Sequence, residues 1–268
     1  MATLFTTLMN RAGQRLLQQY HYPDDLEWHW SLGYCQGDGC ACIGTLDNTA
    51  LQRLLPVLAE RQSLSIETQQ ALASMQSLSP VTVSLTLSRR GGRATHAGCI
   101  QIEILDFPDV AEALYQTFYQ ALRQDLDTLC AVAERQGYQL LDATLPPYDS
   151  DVLFERRTRH FALRAMAETN DDGQDSDEDP ALWDETLDLL LAHGARLLTL
   201  RLELVCLTTS DCLAQDWQSE VVITANQSVR QWFDREILRE LMHAARHAIE
   251  QKRLAYQAIF CGIRGGPS

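Results

Sequence analysis

Between Val81 and Ser88 apolar and polar residues alternate without a break: Val81, Val83, Leu85 and Leu87 against Thr82, Ser84, Thr86 and Ser88. Successive side chains of a strand leave opposite faces, so a period of two demands a sheet with one face in the core and the other in water. The pattern recurs at Leu198, Leu200, Leu202, Leu204 and Cys206, alternating with Thr199, Arg201 and Glu203. Each run has a returning partner, Thr95 to Leu105 after the turn Arg89-Arg90-Gly91-Gly92, and Trp217 to Ile223. Antiparallel sheets with one covered face are therefore expected in both halves of the chain.

Helical periods lie around these strands. Leu4, Phe5, Leu8, Ala12, Leu16 and Tyr20 make an amphipathic first helix. Leu26 to Tyr34 and Cys40 to Leu46 form a hairpin about Gln36-Gly37-Asp38-Gly39, with glycines that tolerate positive φ. Asp47 or Thr45 caps a helix through Leu51, Leu54, Leu55 and Leu58 that Pro56 should kink, and Ser65 to Met75 is a second helical piece. Asp109 and Glu112 open a long helix through Leu114, Phe118, Leu122, Leu126, Leu129 and Ala133. Gly137 reads as its stop, with Tyr138 to Leu141 a short strand beyond.

Pro146-Pro147 is the expected domain boundary. After it come a strand (159–167), a helix (182–193), the strand 197–207, its returning strand, a helix capped by Ser228 and running to about Lys252, and a strand at 256–259. Each half thus reads β-α-β-β-α-β. The expected fold is α+β: two tandem ferredoxin-like units with antiparallel sheets, spanning 1–147 and 148–268 and suggesting an internal duplication. The first helix and the hairpin strand at 26–34 are additions to the regular unit.

Net charge is −14, from 36 acids and 22 bases, and it divides evenly between residues 1–150 and 151–268. Direct nucleic-acid binding is disfavoured, since it needs a basic face to displace counterions. No apolar run reaches the roughly 20 residues that span a bilayer. The first residues lack the pattern of a signal peptide, and the expected location is cytoplasmic. Eight cysteines are then expected as reduced thiols, several packed as small apolar residues.

Candidate sites are few. Glycine and carboxylate chemistry at Gln36, Gly37, Asp38 and Gly39 could cradle a phosphate or supply a ligand, although a hairpin turn also explains the glycines. Arg89, Arg90 and Arg93 are the one concentrated basic spot, able to grip a carboxylate or phosphate. An acidic loop at 168–180 offers Asp171, Asp172, Asp175, Asp177, Glu178 and Asp179 to a partner; from Glu168 to Asp188 there are ten acids and no base. Cys35, Cys40 and Cys42 lack a second knuckle for zinc, and Glu236, Glu240, His243 and His247 fall on the water-facing side of their helix. No metal, cofactor or catalytic residue is expected.

The stretch Trp30 to Gly39, W-S-L-G-Y-C-Q-G-D-G, resembles a hairpin of uncharacterised bacteriophage and prophage proteins that reads W-S-x-S-Y-S-Q-G-D-G followed by a small residue and an aromatic. The chain departs from it at Gly33, Cys35 and Cys42-Ile43. The resemblance implies a mobile-element origin and carries no activity with it. Together with the spread acidity, it suggests a non-enzymatic phage-type protein that binds a host protein. The partner would be a nucleic-acid-binding defence effector, inhibited in an anti-CRISPR or anti-restriction role. The alternatives are a domain pair, enzymatic or not, binding a small anion or nucleotide between the units near Asp38 and the three arginines, and a structural module pairing subunits as a homo-oligomer.

Overall fold

The computed structural model describes residues 4–35, 37–78, 81–87, 100–107, 112–145, 151–168 and 180–264. The chain divides into two compact units, Thr6–Leu140 and Leu141–Ser268, with residues 1–5 grouped with the second. The Pro146-Pro147 boundary lies outside the described residues. The N-terminal unit contains α1 (Leu4–Gln19), β1 (Glu27–Ser31), β2 (Gly39–Leu46), α2 (Asn48–Arg61), α3 (Ile66–Leu78), β3 (Thr82–Leu87), β4 (Ile100–Leu105) and most of α4 (Glu112–Thr144). The C-terminal unit contains β5 (Val152–Arg157), β6 (Phe161–Glu168), α5 (Pro180–His193), β7 (Arg196–Cys206), β8 (Cys212–Ile223) and α6 (Arg235–Arg264). No helix among the described residues is long and apolar enough to cross a membrane.

The architecture is α+β, with one four-stranded antiparallel sheet in each unit. Period two is realised in β3 and β4, while in β7 Leu197, Thr199 and Val205 on the opposite face are buried as well. Val83 and Leu85 of β3 are buried opposite Ile104 and Ile102 of β4, while Gln101 and Glu103 face water. In β7, Leu198, Leu200, Leu202 and Leu204 are buried, and Leu198, Leu200 and Leu202 join Ala165, Ala167, Val221 and Leu241 in one core.

Strand order departs from the expectation. Both sheets are consecutive meanders, β1-β2-β3-β4 and β5-β6-β7-β8, where a split βαβ unit would interleave its strands. The reason lies at both ends of each unit. The expected closing strands at Tyr138 and Tyr256 are helical, inside α4 and α6. A Cβ on Gly137 would meet Leu32 Cδ1 at 2.4 Å and Met9 Cε at 2.8 Å, so this glycine permits close packing and does not end the helix. Leu140, fully buried, continues the apolar stripe beyond it.

At the front, β1 is no addition but an edge of the sheet, paired with β2 from Glu27–Ile43 to Ser31–Gly39. Its stacked Trp28 and Trp30 rings, 5.0 Å apart, pack on the core, and a Cβ on Gly13 of α1 would lie 2.5 Å from the Trp28 ring. Its counterpart β5, unforeseen in sequence, pairs with β6. Each unit therefore runs ββαββα, with α2 and α3 filling the first helical place of the N-terminal unit and α1 standing before it.

One buried charge organises the helices of the N-terminal unit. Asp125 of α4 is 1% exposed. Arg61, the last residue of α2, donates to it through Nε (2.7 Å) and Nη2 (2.7 Å), and Tyr22 donates its hydroxyl at 2.9 Å. Arg61 Nη2 also reaches the Tyr20 carbonyl at 3.1 Å, and its guanidinium lies over the Tyr20 ring. The turn that follows α1, the end of α2 and the middle of α4 are thus held at one carboxylate. Burial, and then the charge of Asp125, push the Tyr22 hydroxyl well above its ordinary pKa. Removing Arg61 leaves a buried carboxylate uncompensated. Arg61→Ala should lower stability by about 3–5 kcal/mol in urea unfolding, and pairing Arg61→Met with Asp125→Leu should restore most of that loss. An Arg61→Ala change within about 1 kcal/mol of wild type would mean the network carries little.

Candidate functional site

The QGDG turn is built from its aspartate outward. Asp38 Oδ2 accepts from the Gly33 amide (2.8 Å), the Cys35 amide (2.7 Å) and the Tyr138 hydroxyl of α4 (2.8 Å). The Asp38 amide closes the turn onto the Cys35 carbonyl at 3.2 Å. Gly37, at φ 95°, supplies the left-handed backbone that the turn requires. Tyr34 lies against Tyr138 with ring centroids 4.8 Å apart. Hydrogen bonds from Cys35, Gly33 and Tyr138 hold the Asp38 carboxyl below its usual range. Burial, then Asp38, pushes the Tyr138 hydroxyl up to about 12. The aspartate that could have been a ligand is thereby engaged in fixing its own loop to α4, and Gly37 and Gly39 serve the turn.

The other ligand candidates, Gln36, Arg89, Arg90 and Arg93, lie outside the described residues, as do Asp171, Asp172, Asp175, Asp177, Glu178 and Asp179 of the acidic loop. Glu168, where that loop leaves β6, is held to the sheet: it pairs with Arg201 at 2.9 Å and accepts from Trp217 Nε1 at 2.8 Å.

Cys40 and Cys42 of β2 are buried with Cys130 of α4, and the Cys40 thiol donates to the Cys130 carbonyl at 3.0 Å. All three are free thiols. Hydrogen bonding with Cys130 and then burial push the Cys40 and Cys42 thiols up, and the same hydrogen bonds draw Cys130 below its neighbours. No group of three or more His, Cys, Asp or Glu among the described residues is arranged to hold a metal. On α6, Glu236, Glu240, His243 and His247 are all exposed, with Glu236 paired to Arg239 at 2.7 Å. Sequence reasoning missed Tyr138 and Cys130, whose roles depend on contacts 100 and 90 residues distant.

Fold and sites together define a two-unit α+β protein with a structured hairpin loop on the first unit. In the second unit, residues 151–259 match the family model described as the C-terminal domain of YubG. That match covers β5 to most of α6, less than half of the chain. No curated protein and no solved structure matches.

The Asp38 anchor has a definite pH dependence. A carboxyl with a folded pKa below its unfolded value contributes stability above the unfolded value, and loses it as pH falls through the folded one. Protection of the Gly33 and Cys35 amides from hydrogen exchange should therefore persist below the usual carboxylate range and then collapse. Asp38→Ala should lack it at every pH. Equal protection in the two proteins would remove Asp38 from this role.

Proposed function

We propose that the protein is a non-enzymatic binding protein of phage or mobile-element type, whose carboxylate-rich surface engages a basic, nucleic-acid-binding host protein and blocks it. The observation that carries this reading is the placement of charge. Among the described residues Asp125 is the one buried carboxylate, and every other described acid is at least partly exposed, in a chain with 36 acids and 22 bases. Acids and bases do pair there, as in Arg123–Asp127 and Lys252–Asp211, but with 14 more acids than bases such pairs leave a net negative field. A field of that sign attracts the basic grooves with which effectors hold nucleic acid, and it speeds encounter. The repeated ββαββα order supports descent of the two units from one duplicated module, which would offer two related faces to a partner.

The test is affinity capture from bacterial host lysate at low salt, followed by identification of the retained proteins. A basic nucleic-acid-binding protein that is released by raised salt is expected. Recovery of no such protein would overturn the proposal.

A further inference from the structure

The C-terminal unit contains a cleft of about 680 Å3 between edge strand β5 and the segment leading into α6. It exists because α6 lies over β8 and β7, leaving β5 at the far edge of the sheet. Phe154 of β5, Leu163 of β6, Phe233 and Leu238 give it apolar walls, with the two phenyl rings 5.6 Å apart. Arg156, directly opposite Leu163 in the β5–β6 register, joins Arg230 and Arg235 in the lining.

All three guanidinium groups are exposed, and none has a hydrogen bond or ion pair among the described residues. The lone carboxylate of the lining, Glu155, is taken by Arg157 and by Arg164 (2.7 Å), and these bonds hold its carboxyl below the ordinary range. It therefore stays ionised and answered from outside the cleft. Three arginines around one apolar hollow are thus left without a carboxylate among the described residues.

That arrangement specifies a ligand. Small-molecule sites are hollows of roughly 300–1,000 Å3 with apolar walls and a few convergent polar groups. A guanidinium presents a planar fork that matches carboxylate or phosphate oxygens, and an apolar floor rewards a ring or branched chain. We propose that this cleft binds a small organic anion. Its aromatic or branched aliphatic body is seated on Phe154, Leu163 and Phe233, and its carboxylate or phosphate is held by Arg156, Arg230 and Arg235. The site uses arginines of the stretch that matches the YubG C-terminal domain model, whereas the proposed protein partner would be met by carboxylates.

Isothermal titration calorimetry of the full chain decides the matter, using 1-naphthyl phosphate, its separated halves 1-naphthol and inorganic phosphate, and 2-naphthoate as the carboxylate probe. At least one of the two anions should saturate a single site, about tenfold or more tighter than either half alone. Which anion binds tighter tells phosphate from carboxylate. R156A/R235A, at exposed positions, should weaken binding by about tenfold or more without shifting the melting temperature. Leu163→Trp should fill the floor and abolish binding with every arginine in place. Saturation by neither anion at millimolar concentration, equal binding of 1-naphthol, or wild-type affinity in R156A/R235A would each overturn the assignment.

Discussion

A sheet whose strands alternate apolar and polar residues has one face that must leave water, and each unit is arranged around that demand. Antiparallel strands taken in chain order meet it, with helices α2 and α3 or α5 carried in the connection between the second and third strand of each sheet. In the N-terminal unit, β3 and β4 supply Val83, Leu85, Ile100 and Ile102, and helix α4 answers with Phe118, Leu122, Leu126 and Leu129 in the same core. In the C-terminal unit Leu198, Leu200 and Leu202 of β7 meet Leu241 of α6. Burying a side chain of this size contributes about 1.5–3 kcal/mol, so the apolar face outweighs any single polar contact in either unit.

What burial does not fix is which helix lies where, and polar groups supply that in the N-terminal unit. Asp125 accepts both arms of Arg61 and the hydroxyl of Tyr22, so three helical segments share one carboxylate. Asp38 does the same on a smaller scale, tying the β1–β2 loop to α4 through Tyr138. In both cases a carboxylate that a reader of the sequence would assign to chemistry or solvent is spent on architecture.

Local patterns were legible in the chain and distant pairings were not. The alternation at 81–88 and 198–206 gave β3 and β7, and Asp47 caps α2 through the Ala50 amide at 2.7 Å. Gly137 misled because a glycine that admits a neighbour looks, in sequence, like one that ends a helix. Val152 to Arg157 escaped notice because its exposed Val152 and terminal arginines break the alternation, and β5 exists through its pairing with β6. The Asp125–Arg61 contact joins residues 64 apart, and no spacing rule reaches that far. Gly37 takes the left-handed backbone that a hairpin turn asks of its glycines, while the role of Asp38 depends on a tyrosine 100 residues on.

In the proposed function, surface carboxylates drive recognition of a basic partner. The most direct measurement is the association rate constant between this protein and the captured partner as a function of ionic strength. Electrostatic steering predicts a steep fall in the rate as salt rises from about 0.05 to 0.5 M, while the dissociation rate changes little. An association rate independent of salt across that range would contradict it.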